Sequence, residues 1–244
     1  MTEAIRNAQG ERLDYSYHPG AADATGIVVI GHGVTGHKDR PFLVALAEGL
    51  AAAGIPALRV SFAGNGDSEG LFTASNITKN SEDLRAVLDV LAGRTVAYAG
   101  HSMGGAVGVH RTVRDDRIRL LVSLSAIVHA RDFAEFMFGR LTPGRDRMWD
   151  KPGCLLSQAY LDDLRQIDTL IEDVARVTVP WLFVHGTADD IVPIQDTYDA
   201  FARAHQPKER FVMEGSDHVY EPGFTQVMVD KVVAWLAVEF SRLD

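Results

Sequence analysis

Gly100-His101-Ser102-Met103-Gly104 follows directly on the apolar run Thr95-Val96-Ala97-Tyr98-Ala99 and leads into Ala106-Val107-Gly108-Val109. A strand-like run, an abrupt turn and a helix-like sequence put the serine at the tip of a strand-to-helix elbow. There the backbone is strained, and the residues two before and two after must be small. Gly100 and Gly104 meet that demand. A serine hydroxyl is a poor nucleophile until a neighbouring base takes its proton, and the base needs a third group to fix its tautomer and stabilise its charged form. The pattern therefore asks for a histidine and a carboxylate elsewhere in the chain.

Nine histidines compete for the base role. In an open α/β sheet, ligands bind in the crevice at the carboxyl ends of the strands, and two segments lie there. His185-Gly186-Thr187-Ala188-Asp189-Asp190-Ile191-Val192-Pro193 follows the strand-like Trp181-Leu182-Phe183-Val184, and Glu214-Gly215-Ser216-Asp217-His218 follows Phe211-Val212-Met213. His101 sits inside the elbow, where its ring cannot face its neighbour's hydroxyl. His32 and His37 belong to an earlier loop, and His185 precedes the acid. His218 is the candidate base, with Ser102 as nucleophile. No His-X-X-X-His pair or Cys/His cluster has ligand spacing, so neither a metal nor another cofactor is expected.

The elements that must position these groups are legible in the pattern. Gly26-Ile27-Val28-Val29-Ile30 is a continuous apolar, β-branched run, as expected of a strand buried on both faces of a parallel sheet. Residues 11–17 alternate as an earlier strand, and residues 57–62, 95–99, 120–124, 181–184 and 211–213 read as further strands. Helical spacing appears over 41–53, with Gly54 as stop signal, and over 81–91. It recurs after Ser102 to about 113, over 197–204, and over 224–240, where Val227, Val232, Trp235 and Leu236 form the expected inner face. Alternating strands and helices predict an α/β fold with a doubly wound, mostly parallel sheet flanked by helices.

One stretch breaks the rhythm. Residues 128–171 contain no strand but hold Phe133, Phe136, Met137, Phe138, Met148, Trp149 and Tyr160. It reads as a small, mainly helical lid inserted into one domain spanning 1–244, the other reading being a surface excursion with its own satellite core. With 244 residues and 46% hydrophobic content, the chain can bury a full core. A formal charge of −9 and the lack of a Lys/Arg cluster argue against a nucleic-acid or anionic-membrane surface. No apolar run approaches the roughly 20 residues of a membrane span. Cys154 is the only cysteine; it permits no internal disulfide and, with no histidine nearby in sequence, reads as a packing residue. The first residues, Met1 to Asn7, lack the basic end and apolar core of a secretory signal, so a cytoplasmic location is expected.

Gly-His-Ser-Met-Gly, His-Gly-Thr-Ala-Asp-Asp-Ile-Val-Pro and Gly-Ser-Asp-His together resemble an α/β-hydrolase over nearly the whole chain apart from the lid. Within that superfamily, residues 32–39 and 61–70 resemble serine esterases of the cinnamoyl/feruloyl-esterase type and their monoacylglycerol-lipase and aminopeptidase-like relatives. The resemblance implies the α/β-hydrolase fold, with a sheet of about eight strands. It also implies the chain order nucleophile, acid, base, here Ser102, Asp189 and His218. The family's Asp-X-X-Val-Pro pattern falls on Asp189 and leaves Asp190 out. Met103, after the nucleophile, and Val34, in the His-Gly-X loop, are implied as the oxyanion-hole donors. The implied activity is a serine carboxylesterase that needs no cofactor or metal. Its partner is a small-molecule ester, with a medium acyl or a hydroxycinnamoyl part suggested by the aromatic lid. The same triad also serves carbon–carbon, thioester and amide hydrolysis. The oligomeric state stays open, a homodimer included.

Two other classes compete. Gly31-His32-Gly33-Val34-Thr35-Gly36 after a buried strand satisfies the Gly-X-Gly-X-X-Gly dinucleotide fingerprint. A nicotinamide enzyme needs an acid at the end of the next strand for the ribose, and that strand ends in Ser61-Phe62. A non-catalytic binding protein on this scaffold can lack one triad member, whereas here all three residues stand in order.

Overall fold

The amino-terminal strand divides in two. In the computed structural model, which describes residues 4–221 and 223–243, β1 (Ile5–Arg6) and β2 (Arg12–Leu13) form a small antiparallel hairpin of their own. β3 (Tyr15–His18) runs antiparallel along the edge of the main sheet. The cause lies in the glycine-rich loop at 63–70, which takes up the backbone groups at the break. The Arg12 N–H donates to the Glu69 carboxylate (2.8 Å) and the Glu69 N–H to the Arg12 carbonyl (2.9 Å), while the Asp14 N–H donates to Ser68 Oγ (2.8 Å). Met1 to Glu3, part of the stretch considered for a leader, lie outside the described residues.

The apolar runs become the middle of the sheet: β4 (Gly26–Gly31), β5 (Ala57–Val60), β6 (Thr95–His101), β7 (Ile118–Leu124), β8 (Trp181–Gly186) and β9 (Lys208–Met213). The order is β3-β5-β4-β6-β7-β8-β9, parallel throughout except for β3 against β5. The main sheet thus has seven strands among the described residues, because the piece containing Arg12 pairs elsewhere. Side chains alternate across a strand, so Ile27 and Val29 face one core with Tyr98, Leu121 and Phe183, while Val28 and Ile30 face the other with Ala97, Val122 and Val184. Burial on both faces is why these runs are continuously apolar. Each Val, Ile, Leu or Phe side chain buried in this way contributes about 1.5–3 kcal/mol.

Helices cover both faces. α1 (Pro41–Ala52) follows β4, α2 (Ile77–Val90) precedes β6, and α3 (Met103–Thr112) follows β6 directly. α2 begins four residues before the spacing suggested, because the Asn76 side chain accepts the Lys79 N–H at 2.8 Å and caps the helix there. Between β7 and β8 lie α4 (Ala130–Phe138), a tight turn at Met148–Asp150, α5 (Gln158–Ile167) and α6 (Ile171–Val174). Phe138 anchors this segment, meeting Phe133, Trp149 and Tyr160 edge-on at 4.9–5.9 Å. Phe136 is exposed and Cys154 is buried. α7 (Ile194–Arg203) and α8 (Thr225–Ser241) complete the fold. On α8 the expected inner face needs one correction: Val232, Trp235 and Leu236 are buried, but Val227 is exposed. One residue is a 100° turn of the helix, and Met228 and Val229 take the inner positions instead. Among the described residues no helix is long and apolar enough to cross a membrane.

β6 and α3 pack so tightly at the elbow that a Cβ on Gly100 would lie 2.2 Å from the Gly104 carbonyl oxygen. Gly100→Ala is expected to destabilise the protein by about 2–3 kcal/mol, measured by urea unfolding. An unchanged midpoint would contradict this packing.

Candidate active site

Ser102 stands where β6 ends and α3 begins, with φ 54° and ψ −118°. A non-glycine residue there costs about 1–3 kcal/mol, and the neighbouring backbone holds it in place. Its N–H donates to the Leu124 carbonyl at 2.9 Å, and its carbonyl accepts from the Gly105, Ala106 and Ile127 amides at 3.0–3.3 Å. The loop after β4 lies over it: a Cβ at Gly33 would sit 2.9 Å from Ser102 Cβ and 3.3 Å from Oγ. Glycine at 33 is what lets that backbone come so near.

Asp189 and His218 meet. His218 Nδ1 lies 2.7 Å from Asp189 Oδ2, so Nδ1–H donates to the carboxylate and Nε2 is left with its lone pair. Asp189 Oδ1 accepts the Ile191 and Val192 amides, both at 2.9 Å. Behind the acid, His185 Nε2 approaches Asp189 Oδ2 at 3.1 Å, and its Nδ1 accepts from Thr197 Oγ1 at 2.8 Å. Burial works against the charge on Asp189, but the hydrogen bonds from His185 and His218 prevail and hold its carboxyl well below the usual range. Asp190 is exposed, and among the described residues it forms no hydrogen bond or ion pair.

His218 is also held from beneath. His101 Nε2–H donates to the His218 carbonyl (2.8 Å), and the two rings lie 4.5 Å apart. Burial pushes the His101 imidazole well below its ordinary pKa, so it stays neutral. Ser102 and His218 line the same cavity, of about 480 Å³, together with Val34, Trp149, Ile191 and Val219. Among the described residues no hydrogen bond joins Ser102 Oγ to His218. The cavity falls within the range of small-molecule sites.

The loop after β4 is pinned at several points. His32 Nδ1–H donates to the Gly33 carbonyl (2.8 Å), and its Nε2 accepts the Phe62 N–H (3.0 Å). Both ring nitrogens are used in the neutral form, and burial pushes the pKa of His32 down to about 4. Thr35 has φ 57°, and its carbonyl accepts from Lys151 Nζ, which reaches across from the segment after β7. The Val34 and Met103 amides donate to no described residue. Val34 lines the cavity, whereas Met103, the first residue of α3, has no carbonyl one turn back to bond. The dinucleotide fingerprint fails structurally as well, since α1 opens only at Pro41 and not at Gly36. Among the described residues no three His, Cys, Asp or Glu side chains are grouped to hold a metal ion.

The parts played by His101, His185, Thr197 and Lys151 are not legible in the sequence. His101 cannot face the Ser102 hydroxyl, yet it supports His218. His185 and Thr197 back the acid, and their relation needs the turn between β8 and α7 to fold first. Trp149, one of the aromatics of the expected lid, lines the cavity, and Lys151 reaches it from the same irregular stretch, which carries no periodic signal.

A model of the alpha/beta hydrolase family matches residues 27–234. The uncharacterized protein YfhR of Salmonella typhi is 28% identical over 208 residues, covering 81% of this chain. The chain spans 65% of the length of that relative. Among solved structures, Est1E from Butyrivibrio proteoclasticus with ferulic acid bound superposes with a TM-score of 0.87 at 22% identity, covering 98% of this chain and 100% of that one. The alpha/beta hydrolase domain-containing protein 10 from mouse gives 0.80 at 17% identity, with 99% of each chain covered. At these identities the structural likeness is one of fold.

The His32 clamp makes the fold sensitive to acid. An unfolded imidazole binds its proton near pH 6.5, whereas folded His32 does so only near 4. Between those values the unfolded state carries more protons, so stability is fully present above pH 6.5 and falls as the pH drops toward 4. Urea unfolding between pH 6.5 and 4 is expected to lose about 1.4 kcal/mol per pH unit through this group. His32→Gln removes that share of the slope. An identical slope in the variant would contradict the assignment.

Proposed function

The chain belongs to the alpha/beta hydrolase family, and on that footing we propose that it is a serine hydrolase cleaving a small to medium carboxylic ester through an acyl-enzyme. The observation that carries this reading is the 2.7 Å bond from His218 to the buried Asp189, with His218 and Ser102 on the wall of one cavity. Ser102 Oγ attacks the ester carbonyl as its proton passes to His218 Nε2. Asp189 holds the ring in the tautomer that leaves Nε2 free and stabilises the imidazolium that forms. The Val34 and Met103 amides receive the oxyanion, the contribution that is often the largest in such reactions. The alcohol leaves with the proton from His218. Water, deprotonated by the same imidazole, then releases the acid.

The segment 128–171 acts as the lid of a single domain. Trp149 and the apolar side chains around the cavity suit an acyl group of medium length or an aromatic one. A hydroxycinnamoyl ester is consistent with the ferulic acid bound in the fold relative Est1E. The lone cysteine fits a cytoplasmic enzyme.

Hydrolysis of p-nitrophenyl butyrate and methyl ferulate, followed spectrophotometrically, tests the reading. Ser102→Ala and His218→Ala are each expected to lower kcat by about 10³-fold or more. Wild-type turnover no faster than that of Ser102→Ala would reject it.

A further inference from the structure

Two cations on the cavity wall have no carboxylate partner among the described residues. Arg40 and Lys151 both line the cavity that holds Ser102 and His218. Neither forms an ion pair with a described residue, although the chain carries a net charge of −9 and most of its arginines and lysines are paired. Asp39, the residue before Arg40, is taken by Lys38 and Arg59, both at 2.8 Å. Among the described residues Asp150 is the one acid on the cavity wall, and it pairs with neither cation. The Lys151 ammonium spends one donor on the Thr35 carbonyl, which leaves two N–H groups.

The backbone around Arg40 offers it no compensating negative charge. It is the N-cap of α1, a 12-residue helix with no acid in its first turn and no side-chain cap. The amino end of a helix carries about half a positive charge and favours anions, so the start of α1 adds to the positive charge beside Arg40 and offers it no compensating acid. The two charges also affect each other: burial and the neighbouring Arg40 lower the pKa of Lys151. The same positive field acts on His37 and on the buried His101. A partly enclosed cavity of low dielectric focuses such a field on whatever enters it.

We propose that Arg40 and Lys151 form an anion subsite of the cavity, so that the ester cleaved here carries a carboxylate or phosphate on its acyl or alcohol part. This specificity rests on the hydrolase reading above, whereas binding of the anion does not. In the Ser102→Ala protein, quenching of tryptophan fluorescence, to which Trp149 on the cavity wall contributes beside Trp181 and Trp235, measures ligand binding without turnover. The probes are 4-phenylbutyrate, 2-phenylethyl phosphate and the neutral 4-phenylbutyramide. At least one anion is expected to bind at least 10-fold tighter than the amide at low salt, and the tighter of the two identifies the group. Adding Arg40→Gln should remove most of that preference, whereas Arg145→Gln, on an exposed side chain paired with Asp146 away from the cavity, should leave it intact. In the catalytic arm, wild-type kcat/KM for p-nitrophenyl hemiglutarate is compared with that for p-nitrophenyl valerate, and Arg40→Gln should lower the ratio about 10-fold. Equal binding of anions and amide, or a preference that survives Arg40→Gln, overturns the subsite. Anion-selective binding without hydrolysis of either ester supports the subsite and removes the esterase reading. Hydrolysis with no anion preference does the reverse.

Discussion

A carboxylate kept charged in the protein interior is the constraint from which the site follows. Asp189 has no exposed side-chain surface, and an isolated buried carboxylate would cost several kcal/mol. The Ile191 and Val192 amides, His185 and His218 surround it with donors, and hydrogen bonds to a charged group contribute about 1.5–3 kcal/mol each. Because the donors come from the end of β8, the turn after it and the turn after β9, satisfying Asp189 ties these segments together. The same bonds that make the charge tolerable also orient the His218 ring.

The other half of the site obeys a steric rule. β6 must end, reverse and enter α3 within a residue or two, which forces Ser102 to positive φ and leaves no room for a Cβ at Gly100 or Gly104. Gly104 packs against the His32 carbonyl at 2.6 Å from where its Cβ would be, so the elbow and the loop after β4 fit together as a pair. Buried His32 links that loop to Phe62 at the end of β5. Three adjacent strand ends thereby fix the floor of the cavity, while the segment after β7 reaches over it through Trp149 and Lys151.

Much of this was legible in the sequence, and the reason is local. Ser102, Asp189 and His218 each sit within a few residues of a strand end, where short-range spacing marks both the strand and the turn. The central strands were legible because burial on both faces demands unbroken apolar runs. The misses share the opposite character. The division of the first strand depends on Glu69 and Ser68, more than fifty residues away. The role of His101 depends on the His218 carbonyl, 117 positions on. Val227 was misplaced by a single helical step, too fine for a periodic pattern over one long helix. Lys151 lies beside Trp149 in an irregular stretch packed on Phe138, and no propensity encodes its reach to the cavity.

Covalent capture of the nucleophile tests the joint action of Ser102, His218 and Asp189 most directly. A fluorophosphonate incubated with the native protein and followed by peptide mass mapping should give one adduct, on Ser102, and the rate of its formation should collapse in His218→Ala. An adduct on another residue, or capture at an undiminished rate without the imidazole, would contradict the account.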